Sequence, residues 1–277
     1  QMTENIRYDG SLKASVILKD LAPFVPALSR FEEPLDLNLV FSGHGKHLDC
    51  PTLRLTNHHG LMIAGEAALS NWDAGMDMYI YGKLGNLTMT KEGINVLMTN
   101  LTGKVPPILQ RLDYIRFNGE AAGYLHDLTL TGLFHTGAGM VKTDVMMSID
   151  EQSMSRTYSG SVASADLDLG KLLNQEKKFG KVDFNVELKG FNYKNRYPES
   201  YIKGIISSFE YSQYQYENIM LDGVYKDGGF NGRLSMDDAN GSVQIDGNFN
   251  VAKTIPDFNL KASVKNLRPH DLHLSDK

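Results

Sequence analysis

The residue types best suited to chemistry concentrate in Gly43-His44-Gly45-Lys46-His47-Leu48-Asp49-Cys50, followed by His58-His59. Imidazole and thiolate are the usual zinc ligands. Their spacing matches no structural zinc pattern, and His47 and Cys50, three apart, face opposite sides of a strand, so only a loop gathers them. The stretch reads as a turn with solvated histidines, and no metal site is expected. Met236-Asp237-Asp238-Ala239-Asn240-Gly241 offers adjacent carboxylates but lacks the later acidic ligands and bidentate glutamate of a calcium loop. Asn240-Gly241 reads instead as a hairpin turn. A serine elbow, a helical Ser-x-x-Lys pair and a cysteine with a histidine base are all missing. Aspartates and glutamates fall at alternating strand positions or in turns, where a solvated face is the default. A glycosidase pair on separate strands is a matter of three-dimensional separation. No catalytic residue and no cofactor is assigned.

Tyr211, Tyr214, Tyr216 and Tyr225 are the remaining concentration of interest. Aromatic faces with polar rims stack on sugars or on a partner protein, and equally form cross-strand pairs within a sheet. The first use makes the chain a carbohydrate- or protein-binding β-sandwich at a cell surface.

Positioning any of these residues falls to β-structure. Leu35, Leu37, Leu39 and Phe41 alternate with more polar neighbours, as do Val182, Phe184, Val186 and Leu188. The rhythm returns at Leu128 to Leu130, Leu234 to Met236, Val243 to Ile245 and Phe258 to Val264. Side chains on a strand point to opposite faces, so each strand buries one face. Turns such as Asp227-Gly228-Gly229 and Asn240-Gly241 separate the runs and predict a meander of adjacent antiparallel strands. The expected fold is mainly all-β: an elongated, curved antiparallel sheet, trough-like or sandwich-like, with a few short helices.

Those helices recur after an Asp/Asn-Leu pair. Asp20-Leu21 precedes a helix near 22–31, Asn86-Leu87 one near 91–101, and Asp166-Leu167 one near 170–178, while Asn266-Leu267 opens a fourth. Their uneven spacing predicts modules of variable strand number, whose edges need neighbours. The alternation is interrupted at Glu151-Gln152-Ser153, giving a division into 1–150 and 151–277. Gln1 is neither an initiator methionine nor the start of a signal peptide, and the chain stops just after a strand-like run; it reads as a piece of something longer.

Composition agrees with a folded β-rich chain. Of 277 residues, 42% are hydrophobic, enough for one large β domain or two smaller ones. The formal charge of -5 is spread among 28 basic and 33 acidic side chains without a block of one sign, which argues against nucleic acid. Apolar stretches fall far short of the roughly 20 residues of a membrane-spanning helix. The single cysteine, Cys50, excludes an internal disulfide framework. The 12 methionines, Met76, Met78, Met140, Met146 and Met147 among them, serve either an adaptable binding surface or a core as gap-fillers.

Strand, Asp/Asn-Leu, short helix, then Leu-x-Leu-x-Leu strands resembles the TamB and AsmA-like family of envelope proteins, which includes the translocation and assembly module. The resemblance is carried by Leu18 to Pro26, by Leu35 to Phe41 with Ser42-Gly43, by Phe117-Asn118-Gly119, and by the ladder Leu221-Asp222-Gly223, Phe230-Asn231-Gly232 and Ile245-Asp246-Gly247. It covers most of the chain as a style of sequence. It implies a periplasmic body anchored to the inner membrane by a segment outside this chain, serving outer-membrane biogenesis. The implied cargo is phospholipid or unfolded outer-membrane protein, with an outer-membrane barrel as a further partner. The residues expected to line an apolar groove are Leu35, Leu37, Leu39, Leu53, Leu55, Leu128, Leu130, Val182, Phe184, Val186, Val243 and Ile245. The same residues would line a closed sandwich core, since periodicity does not separate the two.

Overall fold

The computed structural model describes residues 6–22, 29–150, 152–153, 155–192, 199–250 and 257–273. Their structure is mainly antiparallel β-sheet, with three short α-helices among the described residues. Two compact units meet in sequence between Gly137 and Ala138.

The first unit runs β1 (Arg7–Ile17), β2 (Pro34–His44), β3 (His47–Thr56), β4 (Leu61–Ser70), β5 (Tyr79–Thr90), α1 (Lys91–Thr102), α2 (Pro107–Gln110), β6 (Tyr114–Tyr124) and β7 (Asp127–Thr136). Each strand pairs with the next, and the register sets Leu37, Leu55, Ile63, Leu87, Phe117 and Phe134 in one row across the sheet. The alternate residues, such as Glu66, Lys83 and Glu120, stand opposite one another on the other face. Period-2 alternation thus sorts the unit into an apolar inner face and a polar outer one.

The second unit contains β8 (Gly139–Ile149), β9 (Arg156–Ala165), β10 (Leu167–Asp168), α3 (Leu169–Leu173), β11 (Phe179–Asn192), β12 (Glu199–Tyr211), β13 (Tyr214–Lys226), β14 (Gly229–Asp238), β15 (Gly241–Asn250) and β16 (Asp257–Lys265). β11 pairs with β9 across the α3 excursion, and the later strands follow in order. One inner row reads Val186, Gly204, Leu221, Leu234, Ile245 and Ala262. Asp227 and Gly228 have φ of 51° and 77° between the paired Lys226 and Gly229, the backbone of a two-residue hairpin turn with both positions left-handed.

Buried apolar side chains gather at strand ends where the chain folds over the sheet. Past β5, the Thr90 hydroxyl accepts from Gly93 N–H at 3.2 Å and caps α1, while its own N–H donates to Gly60 C=O at 3.2 Å and Ile94 is 1% exposed. After β9, the Asp168 carboxylate accepts from Lys171 N–H at 2.8 Å, its N–H donates to Ala138 C=O at 2.6 Å, and Leu172 is buried. Beyond β16, Arg268 N–H donates to Asn240 C=O at 2.9 Å, one helical turn closes from Leu272 N–H to Arg268 C=O at 3.1 Å, and Leu272 is 0% exposed. The three anchors each follow an inward side chain at the same spacing: Met89 to Ile94, Leu167 to Leu172 and, just past the end of β16, Leu267 to Leu272. Asp166 and Asn266 make the same left-handed step before their leucines, with φ of 53° and 51°. In each of these two, the leucine lies against the glycine that opens a neighbouring strand, Gly139 or Gly241, at which a Cβ would come within 2.7 Å of the leucine Cα.

Several expectations are refined by this architecture. The helix near 91–101 is present as α1, but its motif is set by Thr90, because Asn86 and Leu87 still belong to β5. The helix near 170–178 is the shorter α3, stopped by Asn174 in the left-handed region at φ 57°. Near 22–31, a 3-10 turn spans Leu18–Leu21, and residues 23–28 of that expectation lie outside the described residues. A division at 150 is replaced by one at 137, because β8 and β9 pair across the interruption and Asp150 N–H donates to Ser155 C=O at 2.9 Å. The interruption falls between the paired strands β8 and β9, and Glu151 lies outside the described residues.

Ile94→Ala is expected to lower the stability of the first unit by about 2–4 kcal/mol through the cavity it leaves. The only tryptophan, Trp72, lies in that unit beside Tyr8, so urea titration followed by its fluorescence reads the loss. Leu272→Ala should leave the tryptophan transition in place.

Candidate functional site

The inner faces are the extended surfaces with a distinct chemical character, and the twelve expected lining residues all sit on them. Leu35 and Val182 are buried at the capped ends. Leu37, Leu39, Leu53, Leu55, Leu128, Leu130, Phe184, Val186, Val243 and Ile245 are half-buried, more accessible than a closed core leaves its aliphatics. Each unit therefore presents rows of branched aliphatic side chains that begin at a closed end and continue half-covered along the strands.

The metal-like residues are dispersed. His47 lies at the start of β3, with Nδ1 at 2.7 Å from Ser70 Oγ and Nε2 at 2.9 Å from Asp49. Cys50 points into the inner face, where burial first and the neighbouring Asp49 second raise its thiol pKa. His58 and His59 sit past the opposite end of β3, about 30 Å along the strand. Among the described residues, no group of three His, Cys, Asp or Glu side chains is placed to hold a metal ion. In the acidic turn, the hairpin loop is Ala239 and Asn240, with Gly241 already in β15. Asp238 is engaged by Tyr214 O–H at 2.5 Å, Asn240 N–H at 2.9 Å and Glu217 N–H at 3.2 Å. Those bonds occupy both of its oxygens and tie β13 to the turn.

The four tyrosines do not form one exposed platform. Tyr216 is buried against Ile219, Met236 and Leu272, and its hydroxyl donates to Leu272 C=O at 2.7 Å. Tyr211 and Tyr214 pack beside it as part of the same anchor, Tyr214 edge-on to Tyr216 at 4.7 Å. Tyr225 lies at the far end of β13, opposite Phe230. Burial raises the phenol pKa of Tyr214 and Tyr216, as expected of rings recruited into packing.

A cluster that sequence reasoning missed holds the first cap in place. His59, in the turn between β3 and β4, places Nδ1 at 2.7 Å from Glu92 of α1 and Nε2 at 3.2 Å from Glu33 before β2. The Thr90 hydroxyl donates to His59 C=O at 2.7 Å. The hydrogen bond to Glu92 raises the imidazole pKa against partial desolvation, helped by the charges of Glu33 and Glu92. The three residues are separated in sequence and convey no motif.

No family model matches the chain, and no curated protein or solved structure does.

His59 makes stability depend on pH in a defined sense. Its folded pKa lies above the ordinary 6.5, so the stabilisation is complete below that value and is lost as pH rises through the raised folded pKa. Urea midpoints read by Trp72 fluorescence should therefore differ most between the chain and His59→Gln at mildly acidic pH. The two should converge once the pH exceeds the raised folded pKa.

Proposed function

We propose that this chain is a non-enzymatic, periplasmic portion of an inner-membrane-anchored envelope protein of the TamB and AsmA-like kind. It offers its apolar β faces to phospholipid acyl chains, or to unfolded outer-membrane protein, during outer-membrane biogenesis, with an outer-membrane barrel as a further partner. The observation that carries this reading is the half-buried state of the inner rows. Leu39 and Leu53 in the first unit, and Leu221 and Leu234 in the second, lie in register on neighbouring strands without becoming buried. An acyl chain laid against such rows gains roughly 0.8 kcal/mol per CH₂ removed from water and needs no fixed polar group. The dispersal of the carboxylates, histidines and lone cysteine into structural contacts fits a surface that acts by solvation.

Native mass spectrometry with lipid extraction tests the reading on the chain, on Leu39→Asp and on Leu234→Asp, with the outer-face Asn38→Asp as control and circular dichroism to check folding. Phospholipid should accompany the chain and the control and be lost from the two folded inner-face variants. A chain that carries no phospholipid and takes none up from phosphatidylethanolamine vesicles would defeat it.

A further inference from the structure

On the second unit, the face opposite the inner rows is not uniformly polar. Across β8, β9, β11, β12 and β13 the pairing sets Met146, Ser159, Lys189, Tyr201 and Val224 in one row, with Thr157 opposite Phe191 in the next. Ser159 and Thr157 are short and their neighbours are long, so the surface dips over β9 into an open cavity of about 530 Å³. A hollow of that volume takes a small molecule. Met146 and Phe191 are each 45% exposed and Tyr201 is 39% exposed, beside a row of outward residues that carries Asp144, Glu187, Lys203 and Asp222. The Tyr201 hydroxyl donates to Asp222 at 2.7 Å, which holds the ring in place as a wall. The lysines around the cavity are paired with carboxylates, Lys189 excepted. Lys203 lies 3.6 Å from Asp222, and Lys226 lies 2.7 Å from Glu199, the carboxylate in the cavity wall. Lys189 faces Ser159 and Tyr201 across the strands, and among the described residues no carboxylate lies within ion-pair distance of it.

We propose that this cavity is a binding site for a single-chain anionic amphiphile, its chain lying over Ser159 and Thr157 between Met146 and Phe191 and its carboxylate or phosphate on Lys189. The body of the ligand follows from the walls. Aliphatic and aromatic surface left in water gains by being covered, and the unbranched thioether of Met146 adapts to the shape of a chain. The head follows from Lys189, whose ammonium is a compact point charge with three donors. Glu199 does not oppose an anion there, because Lys226 offsets its charge at 2.7 Å. A charge-assisted hydrogen bond is stronger than a neutral one, so affinity for one chain length ranks by the charge of the head. An anion on one acyl chain is the shared chemistry of free fatty acids and single-chain phospholipids. Alternation along β11 sends Lys189 and Leu188 to opposite faces, so the site is separate from the inner rows. It does not rest on the transport reading.

Isothermal titration calorimetry of the 277-residue chain with decanoate and with decyl phosphate, each below its micelle-forming concentration, tests this, with decanol as the uncharged comparison. Circular dichroism confirms that each variant folds. Saturable binding of at least one anion is expected, tighter than that of decanol, and the tighter of the two identifies the head. Lys189→Gln should weaken the anion about tenfold and leave decanol unchanged, because it removes the charge and keeps the walls. Ser159→Leu should abolish binding of anion and alcohol alike by filling the floor of the cavity. The inner-face Leu234→Asp should leave anion binding as it is. A chain that binds neither anion would overturn the proposal, as would anion binding that either Lys189→Gln or Ser159→Leu leaves unchanged. So would binding lost in Leu234→Asp and kept in Ser159→Leu, which would place the ligand on the inner rows.

Discussion

A meandering antiparallel sheet with one apolar face satisfies its backbone strand by strand, but it leaves that face without an opposing layer. What fixes the face at one end in each unit is a single aliphatic side chain delivered by the chain as it leaves a strand. Ile94, Leu172 and Leu272 do this, each at the same spacing after an inward side chain, and a backbone N–H given to a neighbouring turn holds each cap down. The bond positions the cap; the buried side chain supplies the favourable free energy, of the order of 1.5–3 kcal/mol for a fully buried aliphatic. Rows beyond the anchor are then free to remain half-covered.

Much of this was legible in the sequence, because alternation is a direct consequence of strand geometry. The runs at Leu35 to Phe41 and Val182 to Leu188 fall in β2 and β11, and the Asp227-Gly228 turn adopts the backbone its residues favour. The fourth helix opening at Asn266-Leu267 is a real cap of one turn. What misled was the choice of Asp/Asn-Leu as the signature. In the first unit the corresponding signal is Met89-Thr90, since threonine is also a favoured N-cap and a methionine can fill the inward position that leucine takes elsewhere. The seam near 150 is not a boundary because the strands on either side of the polar break, β8 and β9, pair with each other.

The chemically suggestive residues were harder to read because their meaning depends on register. Histidine, cysteine, aspartate and tyrosine were each noticed by type, yet the fold uses them to join elements: His59 bridges Glu92 of α1 and Glu33 before β2, Asp238 ties a turn to Tyr214, and Tyr216 receives Leu272. The alternating charges that pair across β11 to β16, from Glu187 through Lys203, Asp222, Arg233 and Asp246 to Lys261, escape a linear reading for the same reason. They lie on six strands of different length, joined by different loops, and align only once the pairing is known.

The cap also governs how such a sheet can vary in length. In the first unit, the 3-10 turn after β1 and the α1 cap after β5 lie at the same end of the strands, with β2 to β5 between them. In the second unit, the caps after β9 and β16 are separated by the pairing path β11 to β16. Both intervals hold an even number of strands, because successive strands reverse direction and an odd number would deliver the next cap to the wrong end. Growth or loss in this architecture therefore proceeds by whole hairpins. A single-strand insertion would carry the anchoring leucine to the far end of the sheet and leave its intended seat empty.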